Sequence, residues 1–325
     1  MSDLPFIEGR APFLVPTVSK PCATYYKVFG DLSGSAPPLI FLHGGPGCGH
    51  DYFLPFAELW PRYGIPVVLY DQIGCGKSTH IPETAGDKAV WNIDFFVNEL
   101  DNLINHLGVR SGYHILGHSF GGMIAPEYAV RQPKGLKRLI LASGIASKEL
   151  SHQCFEILKS RATKAHQDAI SEATRSGDWS TPEYKLVWDW FARNYLCRTE
   201  NPPPEYWAGE KNITDDMTAS KSMFGDSPWI NGGNLVGWTS IPRLHNINVP
   251  TLVFNSEFDS SSQDIAQVPF FELIPRVCWY HFTNAGHMPW LESDSLRERV
   301  IDLIGGFLAP SAQEGSEGAG RVSES

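Results

Sequence analysis

The stretch YHILGHSFGGMIAPEYA, Tyr113 to Ala129, constrains this chain more than any other. An apolar run of strand length enters Gly117-His118-Ser119-Phe120-Gly121, and a helical pattern leaves it. This is G-x-S-x-G in a strand–turn–helix context. A serine at the apex of so sharp a turn needs small residues two before and two after it, so that the helix can pass close to the strand. Its hydroxyl then projects above the sheet at a helix N-terminus, where developing negative charge is favoured. The five-residue pattern alone arises often by chance. The flanking elements make Ser119 a candidate nucleophile rather than a serine that happens to sit between glycines.

The same rhythm extends along the chain. Strands are expected at Pro38–His43, Pro66–Tyr70, Tyr113–Leu116, Leu136–Ala142, Thr251–Asn255 and Val277–Phe282. Blocks such as PLIFL, VVLY and TLVF are apolar throughout, which suits strands covered on both faces. Helical spacing appears at Phe95–Leu107, with Asp94 as cap and Gly108 as stop, and at Gly121–Arg131 and Ser295–Leu308. Strand–helix alternation implies an α/β fold: a mostly parallel central sheet with helices on both faces. The β-rich first thirty-odd residues should add antiparallel edge strands.

From about Ser147 to Ile241 the alternation stops, and the segment reads as a helical insertion. It holds Trp179, Trp188, Trp190, Trp207, Trp229 and Trp238, six of the ten tryptophans. They either form the core of a small helical unit or line a substrate pocket; Trp229 is the candidate for the pocket. The expected organisation is a core in two parts, 1–146 and 242–309, an inserted helical cap over 147–241, and a disordered tail over 310–325.

A serine nucleophile needs a base, and the base needs an orienting acid. Open α/β sheets with such a serine turn order them serine, acid, histidine. After the insertion, TLVFNSEFDSSS places Asp259 just past a strand end, where such sheets carry functional groups. Glu257 and Asp264 compete for that role. Next, Asn284-Ala285-Gly286-His287 puts a histidine on a loop, whereas His281 falls within a strand. Ser119, Asp259 and His287 are therefore the catalytic candidates. The first buried strand ends in His43-Gly44-Gly45-Pro46-Gly47, more glycine than a plain turn requires. Bare backbone there can bring an N–H to a developing oxyanion. Gly45 is the first choice, with Gly44 as alternative, and the Phe120 amide is the second donor.

Other chemistries fit less well. DQIGCGKS has Asp71 where a phosphate-binding loop needs its first glycine. The six cysteines have no CxxC pair, so neither a zinc site nor a disulfide framework is expected. No metal or cofactor is called for. A formal charge of −10 argues against nucleic acid as a partner. The N-terminus lacks the features of a signal peptide, and no window is apolar enough to span a membrane, so a cytoplasmic protein is expected.

HGGPG, DQIGCGKS, GHSFGG, FDSSS and NAGHMPW together resemble the prolyl iminopeptidases and related amino-acid amidases of the α/β-hydrolase superfamily. The likeness runs over nearly the whole chain before the tail. It implies the α/β-hydrolase fold, with Ser119 as nucleophile, Asp259 as orienting acid, His287 as base, and Gly45 and Phe120 as oxyanion donors. Family members that remove N-terminal residues place cap glutamates against the substrate's free amine, since an unpaired ammonium in a closed pocket is costly. Leu196–Glu200 (LCRTE) resembles the segment carrying one of them, which makes Glu200 the match. At the second, Met223–Trp229 has Pro228 in the glutamate position, with Asp226 two residues away.

The function expected is serine hydrolysis of small amides or short peptides through an acyl-enzyme, releasing an N-terminal proline or other amino acid. The alternative is an ester, amide or lactone of a non-peptide metabolite. A non-catalytic receptor on the same fold would have no need of all three catalytic groups. Serine rather than aspartate at position 119 argues against epoxide or haloalkane chemistry.

Overall fold

The computed structural model describes residues 4–15 and 17–309. The expected tail, 310–325, lies outside the described residues. Among those residues, β1 (Phe6–Phe13), β2 (Cys22–Phe29), β3 (Leu39–Leu42), β4 (Val67–Tyr70), β5 (Tyr113–His118), β6 (Leu136–Ala142), β7 (Thr251–Ser256) and β8 (Val277–Phe282) form one sheet. Its order is β1-β2-β4-β3-β5-β6-β7-β8. The first two strands pair antiparallel, and β2 runs antiparallel to β4. From β4 onward neighbours are parallel.

The continuous apolar blocks have the reason expected of them. Strand side chains alternate between faces, and here both faces are covered. Ile40 and Leu42 point into one core and Leu39 and Phe41 into the other. The first core is closed by α2 (Ile93–His106), α3 (Gly121–Ala129) and α9 (Asp264–Leu273). The second is closed by the 3₁₀ segment Asp51–Glu58, α1 (Leu59–Tyr63) and α10 (Asp294–Leu308).

Helix boundaries shift by a residue or two. The N-cap of α2 is Asn92, whose side chain accepts from the Phe95 amide, not Asp94. Asn92 is extended and free to turn its side chain onto the helix end, while Asp94 already lies in the first turn, beside the helix dipole. Gly108 does end the segment, in a left-handed conformation.

Between β6 and β7 the chain forms α4 (Lys148–Arg161), α5 (Lys164–Ser176), α6 (Pro182–Phe191), a π-helical turn (Ala192–Leu196), α7 (Pro204–Asp215) and α8 (Thr218–Phe224). The two ends of this segment meet at an antiparallel bridge, Ser147 to Thr239. The Ser240 amide donates to the Ala146 carbonyl beside it at 2.9 Å. Trp229 is buried among Phe155, Phe191 and Tyr184, and Trp179, Trp188 and Trp190 pack on the same cluster. Trp238 packs on the sheet core and Trp207 is exposed. No described helix is long and apolar enough to cross a membrane.

Candidate active site

Ser119 follows β5 with φ +54°, a left-handed conformation that costs a non-glycine residue about 1–2 kcal/mol. The close approach that forces it is visible on either side. A Cβ on Gly117 would lie 2.2 Å from the Gly121 carbonyl oxygen, and one on Gly121 would lie 2.1 Å from that of Leu42. With both positions bare, α3 begins directly behind the serine. The Phe120 amide stands at that helix start with no acceptor among the described residues.

Asp259 and His287 are brought together. The His287 Nδ1–H donates to Asp259 Oδ1 at 2.7 Å, and both side chains are buried. The other carboxylate oxygen accepts from Ser143 Oγ at 2.6 Å. Fixing the proton on Nδ1 leaves Nε2 as the ring's acceptor. The competitors lie elsewhere. Glu257 accepts from the Asn284 amide, and Asp264 bonds Asn255 at the start of α9.

The glycine loop lies against the serine: a methyl group on Gly44 would sit 3.0 Å from Ser119 Cβ and 3.4 Å from its Oγ. Hydrogen bonding separates Gly44 from Gly45. The Gly44 amide is occupied, donating to Tyr52 Oη at 2.7 Å. The Gly44 carbonyl accepts from His43 Nδ1–H at 2.9 Å and from the Cys48 amide at 3.3 Å. A trans peptide sets its C=O and the next N–H in opposite directions. Holding the Gly44 carbonyl therefore aims the Gly45 N–H the other way, and that N–H has no acceptor among the described residues. Gly45 itself has φ +106°, and a Cβ there would meet Gly47 N at 2.7 Å.

His43 can hold this carbonyl because the Gln72 amide donates to its Nε2 at 3.0 Å, which puts the proton on Nδ1. Burial lowers its pKa to about 4. Asp71 ties the two glycine-rich loops together, accepting from the His50 amide at 2.7 Å and the Lys77 amide at 2.8 Å. Burial pushes its carboxyl up, but these bonds and the His50 ring more than offset that and leave it below the usual range. DQIGCGKS thus wraps a carboxylate of its own.

A model of the alpha/beta hydrolase fold family matches residues 37–294. The proline iminopeptidase of Clostridioides difficile (strain 630) is 33% identical over 297 residues, covering 90% of this chain and 96% of the relative. This chain belongs to the proline iminopeptidase family of the α/β hydrolases. The proline iminopeptidase of Lactobacillus delbrueckii subsp. lactis is 32% identical, over 86% of this chain and 92% of its own. Among solved structures, VinJ superposes with a TM-score of 0.85 at 33% identity, covering 92% of this chain and 98% of its own. The proline iminopeptidase of Mycobacterium smegmatis gives 0.81 at 30%, covering 92% and 97%.

Several residues around this α/β-hydrolase centre have roles that the family motifs alone do not give, His118 of GHSFGG among them. His118 Nε2–H donates to the His287 carbonyl at 3.1 Å, so its Nδ1 accepts from Tyr52 Oη–H at 2.9 Å. Burial drives the His118 pKa well down, keeping the ring neutral. The helical segment holds the histidine loop as well. The His287 and Met288 amides donate to the Tyr195 and Leu196 carbonyls at 2.9 and 3.0 Å. Glu292 Oε1 accepts from both the Gly286 and Arg198 amides at 2.9 Å. The sequence holds one clue to Ser143: like Asp259, it is a polar residue just past the end of a buried strand.

The substrate-binding candidates lie in the helical segment. Glu200 is exposed and lines a surface pocket with Asp189, Arg193, Tyr206 and Trp207. Trp229 sits within the aromatic core of the helical segment, its indole N–H donating to Tyr184 Oη at 3.1 Å. Glu210, on α7, is more enclosed. Burial pushes its carboxyl up to about 7 against a hydrogen bond from Trp188, and it acts electrostatically on Cys48 in the glycine loop. The neighbouring Gly209 packs on Cys48 itself. Among the described residues no three His, Cys, Asp or Glu side chains converge as a metal site.

Proposed function

We propose that this chain is a serine hydrolase that releases an N-terminal proline or other amino acid residue from small amides or short peptides. The observation carrying the chemistry is the His287–Asp259 hydrogen bond, with Ser143 on the second carboxylate oxygen. It orients the ring so that Nε2 can take the Ser119 proton. Ser119 Oγ then attacks the carbonyl carbon, and the oxyanion accepts from the Gly45 and Phe120 amides. The His287 imidazolium returns the proton to the leaving amine, and the C–N bond breaks. Water, deprotonated by His287, attacks the acyl-enzyme and releases the acid and Ser119.

The substrate class is supported by the relatives named proline iminopeptidase at 33% and 32% identity. A free amine needs a carboxylate, and the helical segment carries two candidates: Glu200 in a surface pocket, and Glu210, more enclosed and near Cys48 of the glycine loop. The decisive experiment compares kcat/KM on a proline arylamide, its N-acetyl counterpart and a matched ester. A preference of well over tenfold for the free amine supports the aminopeptidase. Loss of that preference, or turnover of the ester alone, rejects it. Pro228, standing where the family resemblance places a glutamate, favours a second reading: hydrolysis of a non-peptide metabolite ester, amide or lactone.

A further inference from the structure

Lys148 has no part in this chemistry, yet its position is costly. It is the first residue of α4 and is 1% exposed. Its ammonium has no carboxylate partner and no hydrogen-bond acceptor among the described residues. Burial opposes the charge, and the start of a helix carries positive partial charge of its own. The face of Phe224, with its ring centroid 4.8 Å away, offsets only part of this. Burial lowers the pKa to about 8, which leaves the group charged at neutral pH.

A second unmatched polar group lies on the same helix face. Ser151 is three residues on, also 1% exposed, and its Oγ has no partner. The surroundings locate the pair. Phe224 packs on Phe120, ring centroids 6.0 Å apart, and Phe120 carries one of the proposed oxyanion amides. Phe155, a further turn along α4, packs on Trp229 at 5.5 Å. The Lys148 amide donates to the Trp238 carbonyl at 3.0 Å, fixing this helix start where the helical segment leaves the sheet.

We propose that Lys148 and Ser151 form a carboxylate-binding subsite between the serine turn and the helical segment, so that preferred substrates carry a carboxylate beside the scissile bond. A carboxylate accepts from both groups at once and neutralises the buried ammonium. It belongs either to the acyl side chain or to the leaving group. The proposal rests on the hydrolase reading and deepens its substrate class.

The test uses the full-length protein and two pairs of probes. On the acyl side, L-glutamate 4-nitroanilide is compared with L-glutamine 4-nitroanilide. On the leaving-group side, prolyl-4-aminobenzoate is compared with its methyl ester. In at least one pair the carboxylate member should lead in kcat/KM by about tenfold or more. Lys148→Met should collapse that ratio and Lys148→Arg should retain it. If neither pair favours the carboxylate, or if Lys148→Met leaves the ratio unchanged, the subsite is overturned. If no probe is turned over, the aminopeptidase reading fails by itself. Calorimetric binding to Ser119→Ala then decides the subsite: tighter binding of a carboxylate member, lost on adding Lys148→Met, upholds it, and equal binding rejects it.

Discussion

Tyr52 and His118 join the glycine loop to the histidine loop through a single 2.9 Å hydrogen bond. The Gly44 amide donates to the tyrosine oxygen, the tyrosine hydroxyl to His118 Nδ1, and His118 Nε2–H to the His287 carbonyl. Each acceptor fixes the next proton, so the chain has one direction. Tyr52→Phe removes its middle and leaves a buried amide and a buried ring nitrogen without partners. A buried unsatisfied group costs about 1–3 kcal/mol, so kcat should fall roughly ten- to a hundredfold on a proline arylamide, with KM little changed. A kcat equal to that of the parent would mean the relay does not position the centre.

Asp259→Asn should lower kcat by about 10⁴-fold, the size expected when the base is left in the wrong tautomer. Glu257→Gln and Asp264→Asn should have far smaller effects, because their carboxylates bond the Asn284 amide and the Asn255 side chain rather than His287. Steady-state kinetics on the three variants would identify the acid; a loss centred on Glu257 or Asp264 would reject Asp259.

Ser143→Ala removes the hydrogen bond to Asp259 Oδ2 and nothing from His287 directly. Bonds to a charged acceptor are worth about 1.5–3 kcal/mol, so kcat/KM should drop by about ten- to a hundredfold. Ser143→Thr, which keeps a hydroxyl, should recover part of the loss in the same assay.

Glu200→Gln and Glu210→Gln separate two candidate partners of a substrate amine. The residue that binds it should, when changed, narrow the gap in kcat/KM between the free and acetylated proline arylamides. If both variants keep the full gap, neither carboxylate recognises the amine.

Glu99 provides a test of the core by pH. Burial raises its carboxyl to about 8, although Thr24 Oγ1–H and the Ile73 amide both donate to Oε1 and oppose the shift. Because the folded pKa lies above the unfolded value, its stabilising contribution is complete below about 4.5 and is lost as pH rises toward 8. Between pH 4.5 and 7 the parent should lose about 3 kcal/mol relative to Glu99→Gln. Urea unfolding of both proteins across that range measures the difference; parallel curves would show that Glu99 does not titrate as expected.

How much of this was legible follows from what each residue does. The strands at Leu39–Leu42 and Val67–Tyr70 were readable because covering both faces leaves an unbroken apolar run. The spacing of Gly117, Ser119 and Gly121 was readable because close packing excludes any Cβ. Asp259 and His287 could be named as candidates from chain order, but their contact spans 28 residues of sequence and shows only in three dimensions. The roles of His43, Tyr52 and His118 could not be read, although His43 and His118 stand inside HGGPG and GHSFGG. Their role depends on which nitrogen carries a proton, and sequence does not encode the partners that decide it. The cap of α2 stands two residues before the one the sequence suggests, because Asn92 and Asp94 are both good cap residues and only backbone geometry selects between them.

The hydrogen bonds from the His287 and Met288 amides to Tyr195 and Leu196 cross between the sheet's loop and the helical segment. A displacement of that segment would strip two carbonyl acceptors from the loop carrying His287. The seating of the helical segment and the bracing of the histidine are therefore one mechanical state: in this geometry His287 is fully braced only while that segment is in place.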